Sequence, residues 1–311
     1  MSWSPSKEPT CTTSESVVID TIIHARTHDI GGFEVGRVLP ALGRRMVGPF
    51  IFFDHMGPGD FAPGEGIDVR PHPHIGLATV TYLFEGEIHH RDSLGIHQPI
   101  RPGAVNWMTA GRGIVHSERS GPKFRERGGR VHGIQLWIAL PKDQEETKPS
   151  FRHHAAASIP EKTAHGVTLR VLAGQGFGFA ASLRSPVVPH SPLVYAEARM
   201  QKGAKLTIPE RPDLAERAVY IVSGLLRSGR SRDQVRPREM AVLGEEGDID
   251  LKAEEDTHLM ILGGAPVGHR HVWWNLVSSS KERIERAKED WREGRFPTVP
   301  GDEDERIPLP E

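Results

Sequence analysis

The chain has 311 residues, with 39 basic and 41 acidic side chains and a formal net charge of −2. Because this balance includes no excess of positive charge, strong non-specific binding to nucleic acid is not expected. The single cysteine, Cys11, excludes an intrachain disulfide and any zinc or iron–sulfur site built from several thiolates. No apolar run reaches the roughly 18 residues of a membrane-spanning helix, and no signal-peptide pattern opens the chain. We therefore expect a soluble, cytoplasmic protein.

The predicted elements are mostly short strands, because 33 glycines and 25 prolines favour tight turns over long helices. Residues 1–16 are rich in Ser, Thr and Pro and predict a flexible tail. Strand candidates with turn signals between them then fill residues 17–141. Residues 142–160 are charged and then Ala-, Ser- and Pro-containing, which predicts a linker, and a second series of strands occupies residues 161–278. This spacing predicts a sandwich or barrel.

One helix is predicted near the carboxyl end. Residues 279–282 read Ser-Ser-Lys-Glu, a capping-box pattern, and Ile284, Ala287 and Trp291 then recur at helical spacing. We expect residues 279–311 to form this helix followed by an extended, charged tail.

Two parts of the chain resemble each other. Residues 80–86 match residues 218–224 at an offset of 138, and residues 100–102 match residues 235–237 at an offset of 135. A repeat of this period predicts two similar β-barrels, because the units of a solenoid are shorter.

Two short motifs suggest a metal site. His72 and His74 form one pair, and His116 and Glu118 form the other. Residues i and i+2 of a strand face the same side, so neighbouring strands would bring three imidazoles and one carboxylate together. This set suits Fe(II), Mn(II), Ni(II), Co(II) or Cu(II) better than a structural zinc ion. The alternative is four polar residues satisfied inside a barrel mouth without a metal, although their burial would be costly.

The repeat predicts that only the first barrel has these ligands. At the offsets above, the four candidate ligands correspond to Glu210, Pro212, Leu251 and Ala253. Among the other histidines, the pairs at 89–90 and 153–154 are predicted to be exposed. His55 is predicted to have a supporting role without binding the metal.

Several segments resemble the pirin family of the cupin superfamily. Residues 72–82 read His-Pro-His-Ile-Gly-Leu-Ala-Thr-Val-Thr-Tyr, and residues 107–118 read Trp-Met-Thr-Ala-Gly-Arg-Gly-Ile-Val-His-Ser-Glu. Residues 53–58 and 135–141 are similar to further pirin segments, while the carboxyl half resembles the pirin C-terminal domain more loosely. Other cupins often have a glutamate where this chain has Ala78, so the resemblance is to the pirin family and not to quercetinases outside it.

The resemblance implies an all-β bicupin, with two antiparallel cupin β-barrels and a C-terminal α-helix near their junction. Residues 17–141 would be the metal-binding cupin domain, and residues 161–278 the cupin domain without metal ligands. It also implies iron, with Fe(II) ahead of Mn, Ni, Co or Cu, held by residues that match His72, His74, His116 and Glu118.

The activity implied by the resemblance is that of a quercetin 2,3-dioxygenase, which would cleave a flavonol-like substrate with O2. Glu118 would then act as metal ligand and catalytic base. The alternative is a non-catalytic, metal- or redox-dependent regulatory protein that binds a protein partner, because pirins of animals are associated with transcription co-regulation. We expect a monomer without direct contact to nucleic acid or membrane.

Overall fold

A computed structural model describes residues 8–13, 18–29, 33–211, 214–228, 233–244 and 246–310. Within these residues the chain is mostly β, with two α-helices, and forms two barrels, each a sandwich of a larger and a smaller antiparallel sheet. The predicted fold class is therefore confirmed. No helix in the described part of the chain is long and apolar enough to cross a membrane.

The first barrel combines a seven-stranded and a four-stranded sheet, in which the spatial order of the strands differs from their order along the chain. From one edge to the other, the larger sheet contains β13 (Ser150–His154), β10 (Val105–Thr109), β7 (Leu77–Glu85), β12 (Gly129–Ala139), β5 (Phe50–Phe61), β4 (Glu34–Leu39) and β3 (Arg26–Asp29). The smaller sheet contains β6 (Asp68–His74), β11 (Ile114–Arg119), β8 (Ile88–Asp92) and β9 (His97–Ile100). A short helix, α1 (Pro122–Arg127), connects β11 to β12.

The second barrel combines an eight-stranded and a four-stranded sheet. The larger sheet contains β1 (Thr10–Thr13), β2 (Ile19–His24), β21 (Glu239–Leu243), β18 (Glu216–Ser223), β23 (Thr257–Gly264), β16 (Leu193–Met200), β15 (Val167–Ala173) and β14 (Glu161–Ala164). The smaller sheet contains β17 (Lys205–Ile208), β22 (Ile249–Ala253), β19 (Leu226–Ser228) and β20 (Gln234–Val235).

The two barrels share one strand order, in agreement with the predicted repeat. In the larger sheets, the order β13-β10-β7-β12-β5-β4-β3 corresponds to β2-β21-β18-β23-β16-β15-β14, and in the smaller sheets β6-β11-β8-β9 corresponds to β17-β22-β19-β20. Of the segments that matched in the sequence, residues 80–85 and 218–223 lie in β7 and β18, and Ile100 and Val235 end β9 and β20. Both strand pairs occupy equivalent places in the two barrels.

The strand register corrects how the candidate ligands map onto the second barrel. His72 lies opposite His116 in the first barrel, and two leucines lie opposite each other at the equivalent places in the second. The second-barrel positions that correspond to the four candidate ligands are all buried and apolar: Leu206, Ile208, Leu251 and Ala253. The prediction that placed Glu210 and Pro212 there is wrong, because the offset differs between strands; Pro212 lies outside the described residues.

The predicted domain boundaries also require correction, because they misplace three strands. β1 lies within the segment predicted as a tail, and β2 pairs with β21 of the second barrel rather than with a strand of the first. β13 lies within the predicted linker, residues 142–160, and pairs with β10 of the first barrel. An unpaired sheet edge exposes a row of backbone hydrogen-bonding groups. Each of these strands covers such an edge, so spatial pairing and not position along the chain decides which barrel they join.

The larger sheets of the two barrels pack against each other through a shared hydrophobic core. Phe50 and Phe53 of β5 lie in this core with Tyr195 of β16 and Tyr220 of β18, and the rings of Phe53 and Tyr220 are 4.7 Å apart. Because such aromatic side chains bury large apolar areas, the interface is a core rather than a loose contact.

The carboxyl-terminal segment returns to the first barrel. It forms the hairpin β24 (His271–Trp273) and β25 (Leu276–Ser278), followed by α2 (Lys281–Arg292). The predicted helix is confirmed, and the Ser280 side chain accepts a hydrogen bond from the backbone N–H of Arg283 at its start. The helix packs against Ile75, beside β6, rather than at the junction of the barrels as the resemblance implied.

Candidate metal centre

Three candidate ligands converge inside the first barrel. Two lie on β6 and one on β11, and His72 lies directly opposite His116. Pro73, between the two histidines of β6, cannot donate a ladder hydrogen bond and lies, as expected, on an edge strand. The exposed fractions of His72, His74 and His116 are 0%, 0% and 1%. One ring nitrogen from each lies within 4.8 Å of the others, and Nε2 of His74 is 3.1 Å from Nε2 of His116.

Hydrogen bonds orient two of these imidazoles from outside the site. Nδ1 of His72 donates to the carbonyl of Arg70 at 2.8 Å, and Nδ1 of His74 donates to the carbonyl of Asn275 at 3.0 Å. A carbonyl can only accept, so in the neutral ring the Nε2 lone pair faces the centre. Nε2 of His72 is buried without a protein partner.

Burial keeps the three imidazoles neutral. It lowers the pKa of His74 to about 3 and holds the pKa values of His72 and His116 well below their usual range. Metal binding requires neutral imidazole with a free lone pair. The unpartnered nitrogen and the neutral donor set therefore fit a divalent metal ion.

His116 differs from the other two because a side chain, and not a backbone carbonyl, orients it. Its Nδ1 lies 3.3 Å from Nδ1 of His90, whose Nε2 lies 2.9 Å from a carboxylate oxygen of Asp92. The His90 ring stacks on Phe151 at 4.4 Å. His90 is only 3% exposed, so the prediction that it is exposed is wrong. The i, i+2 spacing of His90 and Asp92 on β8 was the available signal that this pair faces the barrel interior.

Glu118 is buried in the same barrel but stands apart from the histidine group. Its ladder with β6 is interrupted by a bulge between His116 and Glu118. Oε1 of Glu118 lies 3.2 Å from the hydroxyl of Thr81, and its oxygens are not among the ligand atoms that lie within 4.8 Å of one another. The assignment of Glu118 as ligand and catalytic base therefore stays a prediction.

The interior beside Glu118 is polar. Asn106, Thr81 and Gln135 lie next to each other on β10, β7 and β12. The Thr81 hydroxyl is 2.7 Å from Oε1 of Gln135. The amide nitrogens of Asn106 and Gln135 are buried without partners, so they are free to donate to oxygen atoms of a ligand.

The interior beside His74 is aromatic. The ring of Trp137 lies 5.1 Å from the imidazole of His74 and stacks on Phe52 at 4.0 Å. Both aromatic residues are buried. The barrel interior thus offers aromatic rings beside His74 and amide donors beside Thr81 and Glu118.

His55 lies away from this centre, at the interface between the barrels. Its Nδ1 is 2.7 Å from the hydroxyl of Tyr220, and its Nε2 is 2.7 Å from Nε2 of His132. Its supporting role is therefore in joining the barrels. His153 and His154, predicted to be exposed, are partly buried, and His153 lies 2.6 Å from the side chain of Asn106.

Comparison with known proteins gives consistent matches. The Pirin family matches residues 32–138, and the Pirin C-terminal cupin domain matches residues 195–297. A pirin-like protein of Caulobacter vibrioides is 49% identical, with 94% of this chain and 100% of the relative covered. A Pseudomonas aeruginosa protein provisionally named a quercetin 2,3-dioxygenase is 40% identical, with 93% and 89% covered. The crystal structure of quercetin 2,3-dioxygenase from Acinetobacter baumannii superimposes with a TM-score of 0.84 at 33% identity, covering 93% of this chain and 94% of that one.

Proposed function

The chain belongs to the pirin family, and from this premise we propose that it is a metal-dependent dioxygenase of the quercetin 2,3-dioxygenase type. The observation that supports the proposal is the convergence of three buried, neutral imidazoles, one with an unpartnered Nε2. Relatives that share the fold over most of their length are named for this activity. The substrates would be a flavonol-like molecule and O2.

In this proposal His72, His74 and His116 hold the metal, with Glu118 as the fourth ligand. Fe(II), or alternatively Mn, Ni, Co or Cu, would supply open coordination positions for oxygen chemistry when bound. The chain's own residues bind and orient the substrate: Trp137 contacts its rings, and the amide of Gln135 donates to its oxygen atoms.

Glu118 would accept a proton from the substrate in the same reaction. A flavonol must lose the proton of its 3-hydroxyl to become reactive, and a carboxylate within hydrogen-bonding reach can accept it. Burial away from water strengthens the interaction of this carboxylate with a polar partner. The Thr81 hydroxyl beside Oε1 would hold the carboxylate in one orientation.

Oxygen uptake with quercetin tests the activity. The protein should be compared with a metal-free sample after its metal content has been measured. We expect uptake that depends on the metal and is lost in Glu118→Ala. Glu197→Gln, a change at a buried carboxylate of the second barrel, is the matched control and should retain uptake. Equal uptake with and without metal would contradict the proposal.

One observation favours a second function. The three imidazoles are fully buried, which suits a metal that acts on the shape of the protein and not on a substrate. The alternative is therefore a metal- or redox-dependent regulatory protein that binds a protein partner. Full Fe(II) occupancy without any oxygen uptake would support this alternative over the dioxygenase.

A further inference from the structure

We propose that His90 and Asp92 form a positioning pair that fixes the tautomer of His116 and thereby decides whether His116 can bind a metal. The inference rests on the proposed metal-binding role of the three histidines. It concerns which ring nitrogen of His116 has the proton, a property that the metal-free protein also has.

The three histidines differ in the hydrogen-bond partner of Nδ1. His72 and His74 donate to backbone carbonyls, which can only accept. His116 instead faces Nδ1 of the His90 ring. A neutral imidazole has one donor and one acceptor nitrogen, so His90 can serve as acceptor or donor. On its other side, Nε2 of His116 lies 3.1 Å from Nε2 of His74, which has a lone pair. The tautomer of His116 is therefore decided between donation to His74 and donation to His90, and it depends on the tautomer of His90.

Asp92 determines the tautomer of His90. One oxygen of Asp92 accepts from the backbone N–H groups of Leu94 at 2.9 Å and Ile96 at 3.2 Å. The other lies 2.9 Å from Nε2 of His90. Since a carboxylate accepts, Nε2 of His90 has the proton and its Nδ1 has the lone pair. That lone pair accepts from Nδ1–H of His116, which leaves the His116 Nε2 lone pair facing the metal site.

The His90–Asp92 pair is buried away from water, and the plane of the His90 ring is fixed. Asp92 is fully buried and lies directly opposite His116 in the β8–β11 register, and Glu118 lies opposite His90. Stacking on Phe151 fixes the plane of the His90 ring. Outer partners of this kind typically change metal affinity about 10- to 100-fold when they are removed.

Asp92→Asn inverts the chain of donors and acceptors with little change of shape. The two backbone N–H groups require the amide oxygen, so the NH2 group must face Nε2 of His90. His90 then has its proton on Nδ1, and His116 must accept there. The His116 proton moves to Nε2, where it blocks the metal site. The same substitution in an Asp–His pair of serine proteases gives the wrong histidine tautomer with the geometry intact.

The test combines two measurements on the full-length protein. Long-range proton–nitrogen NMR correlations of 15N-histidine-labelled, metal-free protein report the tautomer. We expect His116 to have its proton on Nδ1 in the wild type and on Nε2 in Asp92→Asn. Titration with Co(II), followed by its visible absorption, should show an affinity about 10- to 100-fold weaker for Asp92→Asn. Glu197→Gln changes a buried carboxylate that pairs with His258 in the second barrel, and should leave Co(II) affinity unchanged.

Two further variants keep the test independent of how Asp92→Asn folds. His90→Phe retains the ring that stacks on Phe151 but removes the acceptor, and should weaken Co(II) binding. His90→Asn places an amide oxygen near the position of Nδ1 and should restore much of the affinity lost in His90→Phe. A general loss of packing would not distinguish these two variants in this direction.

The outcomes separate this inference from the proposed function. A wild-type His116 with its proton on Nε2, or a folded Asp92→Asn with unchanged Co(II) affinity, would overturn the positioning role. A wild type that binds neither Co(II) nor Fe(II) would instead overturn the proposed metal site, while the NMR measurement would still decide the tautomer.

Discussion

The chemistry of the candidate centre begins with which nitrogen of each histidine points inward. Nδ1 of His72 and of His74 is held by a backbone carbonyl on the outer side, which leaves Nε2 for the interior. Without a metal, buried lone pairs with no donor are unfavourable by about 1–3 kcal/mol each. The site is therefore built around an interaction that the protein's own side chains do not supply.

Substitution of one ligand tests the set directly. His116→Ala removes one of the three converging ring nitrogens, and with it the hydrogen bond to His90. We therefore expect metal occupancy to fall sharply. Metal content after dialysis against a weak chelator measures this loss. His258→Ala, which removes a histidine of the second barrel, should keep its metal. Stoichiometric metal in His116→Ala would remove the ligand assignment.

The sequence predicted the convergence of the three histidines because strand periodicity is a local property. It could not predict their surroundings. His90 reaches His116 from a neighbouring strand, and the pairing of β11 with β6 has a bulge between His116 and Glu118. Both depend on which strands become neighbours, and that information is not contained in the spacing of one segment.

Among the elements, the carboxyl-terminal segment has the closest connection to the site. Trp291 of α2 packs in one cluster with Val115, the neighbour of His116. Its indole N–H donates to the carbonyl of Ile307, and the backbone N–H of Ile307 donates to Pro71, beside His72. The segment thus covers the outer face of the two strands whose inner faces present the histidines.

Loss of this cover should loosen the ligand strands. Trp291→Ala removes a large buried side chain, and such changes typically cost about 3–5 kcal/mol. We expect a lower free energy of unfolding than in the wild type. We also expect amide hydrogen exchange to accelerate more in β6 and β11 than in β17 and β22, their equivalents in the second barrel. Arg292→Ala, at an exposed position of the same helix, is the control. Uniform acceleration in both barrels would contradict a specific role for the helix.

The helix itself could be predicted from the sequence, but the surface against which it packs could not. Capping and the spacing of Ile284, Ala287 and Trp291 define a helix with one apolar face. Periodicity shows that a face is buried without showing what buries it. The resemblance placed the helix near the junction of the barrels, whereas the partner is the ligand-bearing sheet of the first barrel.

At the scale of the whole molecule, His55 connects the barrels at the edge of the shared core and is supported by His132. His55 of β5 contacts His132 of β12 and Tyr220 of β18. Burial, followed by the charge of His132, lowers the pKa of His55 to about 3, and burial lowers the pKa of His132 to about 4. Both side chains are neutral in the folded protein at neutral pH, so the two imidazoles do not repel each other.

Acid should weaken this interface. The ordinary histidine pKa is 6.5 and the folded pKa of His55 is about 3, so between these values the unfolded chain binds a proton that the folded chain does not. Stability is therefore full above pH 6.5 and falls as the pH drops toward 3, with a limiting slope of about 1.4 kcal/mol per pH unit for one proton. Urea unfolding of metal-loaded protein at several pH values measures the slope. His55→Gln should be less sensitive to acid than the wild type, and parallel curves would contradict the assignment.

The position of the first strands of the chain is the feature that the sequence predicted least well. Internal similarity predicted two barrels, but β2 precedes the first barrel in the chain and belongs to the second. β13, which lies within the predicted linker, belongs to the first barrel that it follows. Strand pairing is fixed by edges that meet only in the folded molecule. Reading the chain in order therefore assigned β2 to the first barrel and left β13 in a linker.

This arrangement makes an amino-terminal residue part of the second barrel's stability. Ile19 of β2 is fully buried in the core of the second barrel, so Ile19→Ala should cost about 2–5 kcal/mol. Because its strand pairs with β21, we expect hydrogen exchange to accelerate in β21 and β18, with Co(II) affinity unchanged. Ile114→Ala, fully buried on β11, is the mirror variant and should accelerate exchange in the first barrel and weaken Co(II) binding. If Ile19→Ala instead loosened β10 and lowered Co(II) affinity, the first strands of the chain would belong with the metal-binding barrel, and the assignment of β2 to the second barrel would be wrong.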